Sequence, residues 1–274
     1  MPPSTSTSTT TNTNTTPPAP TTPPDPVRAA GSAPRTARER VREEMTAEIL
    51  AVASAHVARD GAAALSLRSI ARDLGMAPSA LYRYFDGRDA LLSALILTAY
   101  EELATVTERA ANEAEAQSLA ASRTRNGPAG DAEQLMSVPR AMRQWALEHP
   151  HRWSLIFGTP VPGYSAPEDT IEHYTRMAAA LVRPLVAAYE AGRLRTPSSL
   201  HRASDELRAA VAPVTEGLLP GMPVETVVLT LEAWTTIVGA ISLEVFGHWR
   251  NTVLEPALLF ESTIRQVAES LGLE

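Results

Sequence analysis

Apolar residues recur at helical spacing along this chain. One face of a short helix is formed by residues at i, i+3, i+4 and i+7, namely Leu67, Ile70, Ala71 and Leu74. Ser66 stands before this helix at the N-cap, and Gly75 follows it, where a positive φ lets the chain turn sharply. The pattern predicts a short helix that ends in a tight turn.

A second helix is predicted directly after this turn. Pro78 fits its first turn, where the missing N–H would have no helical partner, and Leu81 and Tyr84 point back toward the core. Ala71 is small enough for the two helices to cross closely, with Leu81 between them. The spacing is typical of a helix-turn-helix unit, although a helical hairpin in an all-α enzyme would show the same short match.

The rest of the chain has the same period. A first helix is expected over residues 36–59 and a long fourth helix over 87–121. From position 131 onward strand patterns are missing, and further helices are predicted at 132–148, 151–157, 167–191, 198–211, 224–246 and 255–271. The predicted fold class is all-α.

The composition excludes several kinds of chemistry. No cysteine is present, so disulfides, thiolate metal sites and cysteine nucleophiles are excluded. All basic residues other than histidine are arginines, which excludes a Schiff-base lysine and a phosphate-loop lysine. The histidines form no tight cluster with acidic residues, so we expect no metal site and no cofactor.

The net charge of −7 is unevenly distributed. Residues 39–98 hold seven arginines and eight acidic residues, for a charge of −1, while residues 99–274 carry −8. An acidic remainder weakens non-specific attraction to phosphate, yet a local arginine surface can still dock on DNA. The charge is therefore compatible with a nucleic-acid partner.

Residues 1–38 consist mainly of Ser, Thr, Pro and Asn and predict a disordered tail. Three arginines in this segment, Arg28, Arg35 and Arg38, either reach DNA as an arm or belong to a passive tail. The tail lacks the apolar centre of a signal peptide, and no later run approaches the roughly 18 uncharged apolar residues of a membrane span. We therefore expect a cytoplasmic protein without membrane contact.

The residues around the second motif helix carry a more specific pattern. Residues 81–91, L-Y-R-Y-F-D-G-R-D-A-L, resemble the L-Y-x-[HY]-F-x-x-[KR]-x-x-L signature of the TetR family of transcriptional regulators. The layout of residues 39–97 is similar to that family's DNA-binding domain. In addition, residues 145–164 and 234–248 resemble the WHG-type regulatory domain found at the C-terminus of some TetR proteins.

The resemblance implies an all-α fold of two domains. A three-helix helix-turn-helix domain at 39–98 would be joined by a long helix to a helical ligand-binding and dimerisation domain at 99–274. The resemblance also implies a homodimer that binds double-stranded DNA at an inverted repeat, since one helix-turn-helix makes too few contacts for useful specificity.

The recognition helix, expected over residues 77–85, would place its first three residues against base edges in the major groove. By resemblance, Tyr82 is the family's phosphate-contacting tyrosine, and Arg88 replaces the lysine at the start of the fourth helix. The expected DNA contacts are Ser66, Arg68, Pro78, Ser79, Ala80, Tyr82, Arg83, Tyr84 and Arg88.

An apolar stripe on the last two helices predicts the dimer contact. It comprises Val227, Leu231, Trp234, Val238, Ile241 and Val245, paired with Leu258, Leu259, Ile264, Val267 and Leu271. Gly239 would let helices approach closely in the isologous four-helix bundle that the resemblance implies. The alternative is that the stripe belongs to the internal core.

Large, adaptable apolar side chains predict a pocket for an unidentified apolar small-molecule effector. The candidates are Met142, Trp145, Trp153, Phe157, His173, Tyr174, Met177 and Trp234, among which His173 would orient the bound molecule. For each of them the alternative is a place in the core.

These patterns favour a DNA-binding transcriptional regulator that is not an enzyme, and within that class a ligand-responsive repressor. One competing hypothesis is an all-helical ligand-binding or scaffolding protein without sequence-specific DNA binding. The other is an all-α enzyme, for which the sequence offers no common catalytic motif.

Overall fold

The computed structural model describes residues 36–122, 130–165, 170–194 and 203–273, and these parts of the chain are helical without any strand. The predicted all-α fold is confirmed. Residues 1–35 of the predicted tail lie outside the described residues, whereas Ala37 and Arg38 already belong to the first helix.

Ten α-helices and one 3₁₀ turn follow one another in the described residues. The N-terminal part, which holds the predicted DNA-binding domain and is called the DNA-binding half below, contains α1 (Ala37–Asp60), the 3₁₀ turn (Ala62–Ala64), α2 (Leu67–Asp73) and α3 (Pro78–Leu81). A long helix, α4 (Arg88–Ser122), leads into the second half, which contains α5 (Asp131–Glu148), α6 (Pro150–Phe157), α7 (Thr170–Glu190), α8 (Asp205–Gly217), α9 (Val224–Val245) and α10 (Pro256–Ser270).

The helix starts show which local signals were decisive. Thr36 and Glu39 form a capping box, in which the Glu39 N–H donates to Thr36 Oγ1 and the Thr36 N–H donates to Glu39 Oε2 at 2.7 Å. Ser66 does occupy the N-cap position of α2, but its side chain makes no capping hydrogen bond. The expectation that Ser66 caps this helix through its hydroxyl is therefore wrong.

The helix-turn-helix core is packed as the periodicity predicts. Ile70, Ala71 and Leu81 have no exposed surface, and they pack together with Ile49 of α1 and Leu91 of α4. Removing these side chains from water stabilises the fold by about 1.5–3 kcal/mol for each large aliphatic residue. The small N-terminal domain thus has a core of its own.

The turn between α2 and α3 depends on one glycine. Gly75 has φ +65°, and the Met76 N–H closes the end of α2 by donating to the Ala71 carbonyl at 2.8 Å. The regular part of α3 is only Pro78–Leu81, and the following residues continue as turns in which the Phe85 N–H donates to the Leu81 carbonyl. The predicted recognition helix over 77–85 is therefore shorter as a regular α-helix.

The second half is organised around α4, which packs against α5, α6 and α7. The largest fully buried side chains of this second half include Leu103, Met142, Trp153, Met177 and Leu185. Arg176 of α7 also joins α4 through Glu101 and Glu108 at 2.6 and 2.9 Å. A long helix from the DNA-binding half is in this way fixed within the core of the other half.

Helix α8 differs from its prediction. The sequence predicts a helix over 198–211, ending before Pro213, whereas α8 runs from Asp205 to Gly217 with Pro213 inside it. Ser204 caps this helix by accepting from the Leu207 N–H, and residues 195–202 lie outside the described residues. A proline inside a helix removes one backbone hydrogen bond. In α8, Val211 before Pro213 and Val214 after it both pack on the core.

Two described helices, α4 and α9, are long and apolar enough to cross a membrane by length and composition. This does not contradict the expectation, which concerned uncharged runs, because α9 contains Glu225, Glu232 and Glu244. The apolar window is 44% buried in α4 but only 33% buried in α9, whose mean hydropathy there is 1.6. Within α9, Leu243 is the one large apolar side chain that is exposed, at 38%, while the others are buried or pack partly on the core.

Candidate DNA-binding surface and effector site

Helix α3 presents small side chains to solvent. Pro78 and Ser79 are exposed and Ala80 is half-buried, while the next residue, Leu81, is fully buried and anchors the helix. Pro78 occupies the first turn, where its fixed φ is already helical. The three predicted base-facing residues therefore lie together at the exposed start of the helix.

The end of α3 is held by α1. The Arg42 guanidinium lies 5.6 Å from the centre of the Tyr84 ring and donates to the Arg83 carbonyl at 3.3 Å. Tyr84 is half-buried against the core, whereas Arg83 is exposed and Tyr82 is 50% exposed. The structure thus leaves Tyr82 and Arg83 open to a partner, and it uses the Tyr84 ring to fix the turn.

The flanking residues fall into two groups. Arg68 is exposed on α2 and Ser66 is half-buried beside it. The Arg88 guanidinium instead donates to the carbonyls of Ala62 and Ala63 at 3.1 and 3.3 Å, and its side chain is 31% exposed. Arg88 therefore fastens the start of α4 to the 3₁₀ turn, and its phosphate contact stays a prediction.

The predicted effector-binding residues form a packed aromatic cluster. Trp153, Phe157, Trp234 and Tyr174 follow one another with ring centroids 4.4, 6.1 and 5.7 Å apart. Trp153 is fully buried and its indole N–H donates to Ser242 Oγ at 3.1 Å. Burial also raises the pKa of the Tyr174 hydroxyl. The structure thus brings these four aromatic residues together but fills the space between them.

The other four candidates lie around this cluster. Met142 and Met177 are fully buried, and Trp145 is almost fully buried. His173 Nδ1 lies 2.8 Å from Glu101 Oε2, but at an angle that makes no hydrogen bond. As effector contacts, these residues remain a prediction.

A large cavity in the described part of the chain lies elsewhere. It is a half-open cleft of about 860 Å³ between the DNA-binding half and α6. One wall contains Ala58 and the 3₁₀ turn, and the other contains His151, Ser154 and the loop that follows α6. None of the eight predicted effector residues lines it. Sequence analysis missed this cleft because its walls are about a hundred residues apart in the chain.

Comparison with known proteins agrees with this architecture. Residues 49–95 match the model described as bacterial regulatory proteins, tetR family, and residues 135–267 match the model described as Tetracyclin repressor-like, C-terminal domain. The HTH-type transcriptional regulators Rv1816 of Mycobacterium tuberculosis and Mb1846 of Mycobacterium bovis are each 35% identical over 239 residues, covering 86% of this chain and 95% of the relative.

This chain belongs to the TetR family.

The TetR assignment is supported by solved structures as well. The regulatory protein SCO4313 is 34% identical, with a TM-score of 0.66 over 85% of this chain and the whole of that one. A Rhodococcus protein of unknown function shares the fold at 22% identity and a TM-score of 0.58. The predicted family and its DNA-binding function are confirmed: this TetR protein is a DNA-binding transcriptional regulator.

The structure divides the predicted dimer stripe of this TetR protein into buried and partly open members. Val227, Ile241, Ile264, Val267 and Leu271 are buried, and Leu231, Trp234, Val238 and Val245 pack partly against the same core. Of the stripe, only Leu258 and Leu259 are exposed. The five buried members therefore belong to the internal core and do not form a dimer surface, because α9 is apolar on more than one face and the period alone does not show which face is internal. For the other six members the dimer contact stays a prediction.

A different set of side chains is open on the last two helices and in the segment between them. Leu243, Phe246, Leu254, Leu258 and Leu259 are 38–98% exposed. Gly239 lies on the same side of α9 as Leu243 and Phe246, at helical spacing, and a side-chain carbon added to it would meet no atom within 4 Å. We call these six residues the open α9–α10 face.

Proposed function

We propose that this regulator is a ligand-responsive repressor that binds a pseudo-palindromic operator as a homodimer in the cytoplasm. The carrying observation is the exposed start of α3, where Pro78 and Ser79 stand free above a fully buried Leu81. Small residues at this place let the helix enter the major groove closely, with Ser79 able to hydrogen-bond to several bases.

Direct base reading by these residues is modest. Pro78 and Ala80 offer only apolar contact with a thymine methyl, and no arginine stands at the start of α3. We therefore infer that specificity depends largely on the spacing of two half-sites, about 34 Å apart, and on DNA shape. This inference requires two copies of the chain.

The open α9–α10 face supports the dimer. Leu243 and Phe246, together with Leu254, Leu258 and Leu259, are 38–98% exposed, and a group of exposed apolar side chains is unfavourable in water. Burial against a second copy would contribute up to about 1.5–3 kcal/mol for the almost fully exposed Leu254, and proportionally less for Leu243, Phe246 and Leu259, which are already more than half covered. Gly239 leaves room for the partner helix to come close.

Selection of random DNA duplexes by the purified protein tests this function. Recovery of an inverted repeat, bound by two chains in sedimentation at moderate salt, is the expected result. If no sequence is enriched even at low salt, the hypothesis of sequence-specific DNA binding is rejected, and a scaffolding protein becomes the better hypothesis. The same operator then allows candidate effectors to be screened by its release.

A further inference from the structure

We propose that the cleft between the DNA-binding half and α6 is an effector site for an uncharged, mainly apolar small molecule. Its volume of about 860 Å³ lies within the range of sites that hold drug-sized ligands. The proposed effect on DNA rests on the ligand-responsive function above, whereas the binding site itself does not.

The lining determines the class of ligand. None of the described residues that line the cleft is Asp, Glu or Arg. Most of the wall is aliphatic or proline, as in Val57, Ile96, Leu155 and Pro160. A charged molecule would lose its hydration here without gaining a counter-charge, so the lining favours a neutral one.

Some polar groups in this apolar wall are placed to orient such a molecule. Tyr100 and Thr159 line the cleft, and both carry a hydroxyl group that can donate to a ligand. Burial raises the pKa of the Tyr100 hydroxyl, which keeps it protonated as a donor. A ligand with one or two carbonyl or ether oxygens would satisfy these donors.

The walls of the cleft belong to both halves of the protein, and only a few polar contacts join them. Ser54 Oγ of α1 and His151 Nε2 of α6 are hydrogen-bonded at 3.1 Å, and Ser93 Oγ of α4 and Tyr164 Oη at 2.9 Å. His151 and Tyr164 both line the cleft. A ligand that fills it therefore acts directly on the contacts that set how α6 sits on the DNA-binding half.

One wall is also directly connected to the helix-turn-helix. Ala62 and Ala63 line the cleft, and their carbonyls accept the hydrogen bonds from Arg88 at the start of α4. Four residues after Ala63 in the chain, Leu67 begins α2. Displacement of the 3₁₀ turn by a ligand would therefore shift α2 and α4 together, which couples the cleft to DNA affinity.

Nile red, an uncharged dye whose emission rises in apolar surroundings, probes the site in the full chain. Two variants fill the cleft from opposite walls: Ala58→Trp on α1 and Ser154→Trp on α6, both at exposed helical positions. The matched control is Ala51→Trp, exposed on the same helix as Ala58 but outside the cleft. Circular dichroism checks that each variant keeps its helix content.

Each filling variant is expected to weaken dye binding by about tenfold or more in Kd, and the control by less than about twofold. If both folded filling variants bind the dye as the unaltered chain does, the dye sits elsewhere, for example in the aromatic cluster, and the proposal is wrong. Should only one of them fold, its Kd decides alone.

A second arm separates the site from the proposed function. If the dye binds in the cleft and is coupled to DNA, the operator's Kd and the dye's Kd change by the same factor when the other ligand is present. A second result is possible: the filling variants lose dye binding, but in the unaltered chain the bound dye does not change the operator's Kd. This result supports the cleft as a binding site and overturns the proposed ligand response.

Discussion

Single residues in the DNA-binding half either contact other parts of their own chain or are exposed to solvent, where they can contact DNA. Arg42, Tyr84 and Arg88 are engaged with neighbouring backbone or rings, whereas Arg68, Ser79 and Tyr82 are open to solvent. The open residues should change DNA binding alone, and the engaged ones should also change stability.

Arg68 tests the first group. Arg68→Ala should weaken binding to all DNA sequences alike and flatten the log–log salt dependence by about 0.9 for each half-site, because one phosphate contact is lost. Titrations of a labelled duplex at several salt concentrations measure the slope. Arg109→Ala, an exposed arginine far along α4, is the control, and an Arg68→Ala slope equal to that of the control would refute the contact.

Arg88 tests the second group. Arg88→Ala removes two hydrogen bonds to the Ala62 and Ala63 carbonyls, so the free energy of unfolding should fall by about 1–2 kcal/mol. Urea denaturation measures this loss. A salt slope that flattens as well would add the phosphate contact suggested by the family resemblance, while unchanged stability would contradict the fastening role.

His151 gives stability a dependence on pH. Burial, followed by the charges of Arg152 and His149, lowers the pKa of this histidine, while Glu102 opposes the shift. Since the unfolded chain then takes up a proton at a higher pH than the folded chain, stability is fully present above about pH 6.5 and decreases as the pH falls through the folded pKa.

His151→Gln should therefore lose less stability than the unaltered protein between about pH 7.5 and pH 5. Thermal denaturation at both pH values measures the difference. His248→Gln, at an exposed position beyond α9, controls for the loss of a histidine elsewhere. Equal losses in His151→Gln and the unaltered chain would show that this group does not cause the acid sensitivity.

At the scale of elements, the end of α6 is the most constrained position that glycine occupies. A side-chain carbon on Gly158 would lie 2.3 Å from the Ser154 carbonyl oxygen, so the last turn of α6 would have to open. The loop that follows, which forms one wall of the cleft, would move with it.

Gly158→Ala should therefore destabilise the protein by about 1–3 kcal/mol, as overpacking against backbone usually does. The matched control is Gly217→Ala at the end of α8, where an added carbon meets no atom within 4 Å and alanine favours the helix by up to about 1 kcal/mol. Thermal midpoints compare the two variants. Equal thermal midpoints for Gly158→Ala and Gly217→Ala would show that α6 can end in another conformation without loss of stability.

At the scale of the whole molecule, the open α9–α10 face is a group of apolar side chains that a single chain leaves exposed to solvent. A side-chain carbon added to Gly239 meets no atom within 4 Å of its own chain, and we expect an indole there to keep a partner helix at a distance. The same substitution at Ala116, exposed on α4, offers a control.

Gly239→Trp should therefore shift the protein from dimer to monomer without loss of helix, whereas Ala116→Trp stays a dimer. Sedimentation equilibrium measures the mass, and circular dichroism measures the helix content. Operator binding should weaken together with dimerisation, because each half-site alone is read poorly. A Gly239→Trp protein that remains a dimer would place the interface elsewhere.

Local sequence patterns were enough to predict much of the fold. The spacing of Leu67, Ile70 and Ala71, the glycine at 75 and Leu81 correctly predicted the core of the helix-turn-helix, because each residue acts on neighbours within a turn or two. The bounds of α5, α9 and α10 were predicted within one residue for the same reason. Periodicity and turn chemistry are local, and they determine elements.

Tertiary structure decided which side of each element became interior. On α9 both sides are apolar, so only packing against α5, α6 and α10 shows that Ile241 is core and Phe246 is open. Packing likewise kept α8 helical through Pro213 and engaged Arg88 within the protein. The cleft was beyond sequence analysis because Ala58 and His151 meet across it only once α1 and α6 pack, and that contact depends on the whole chain.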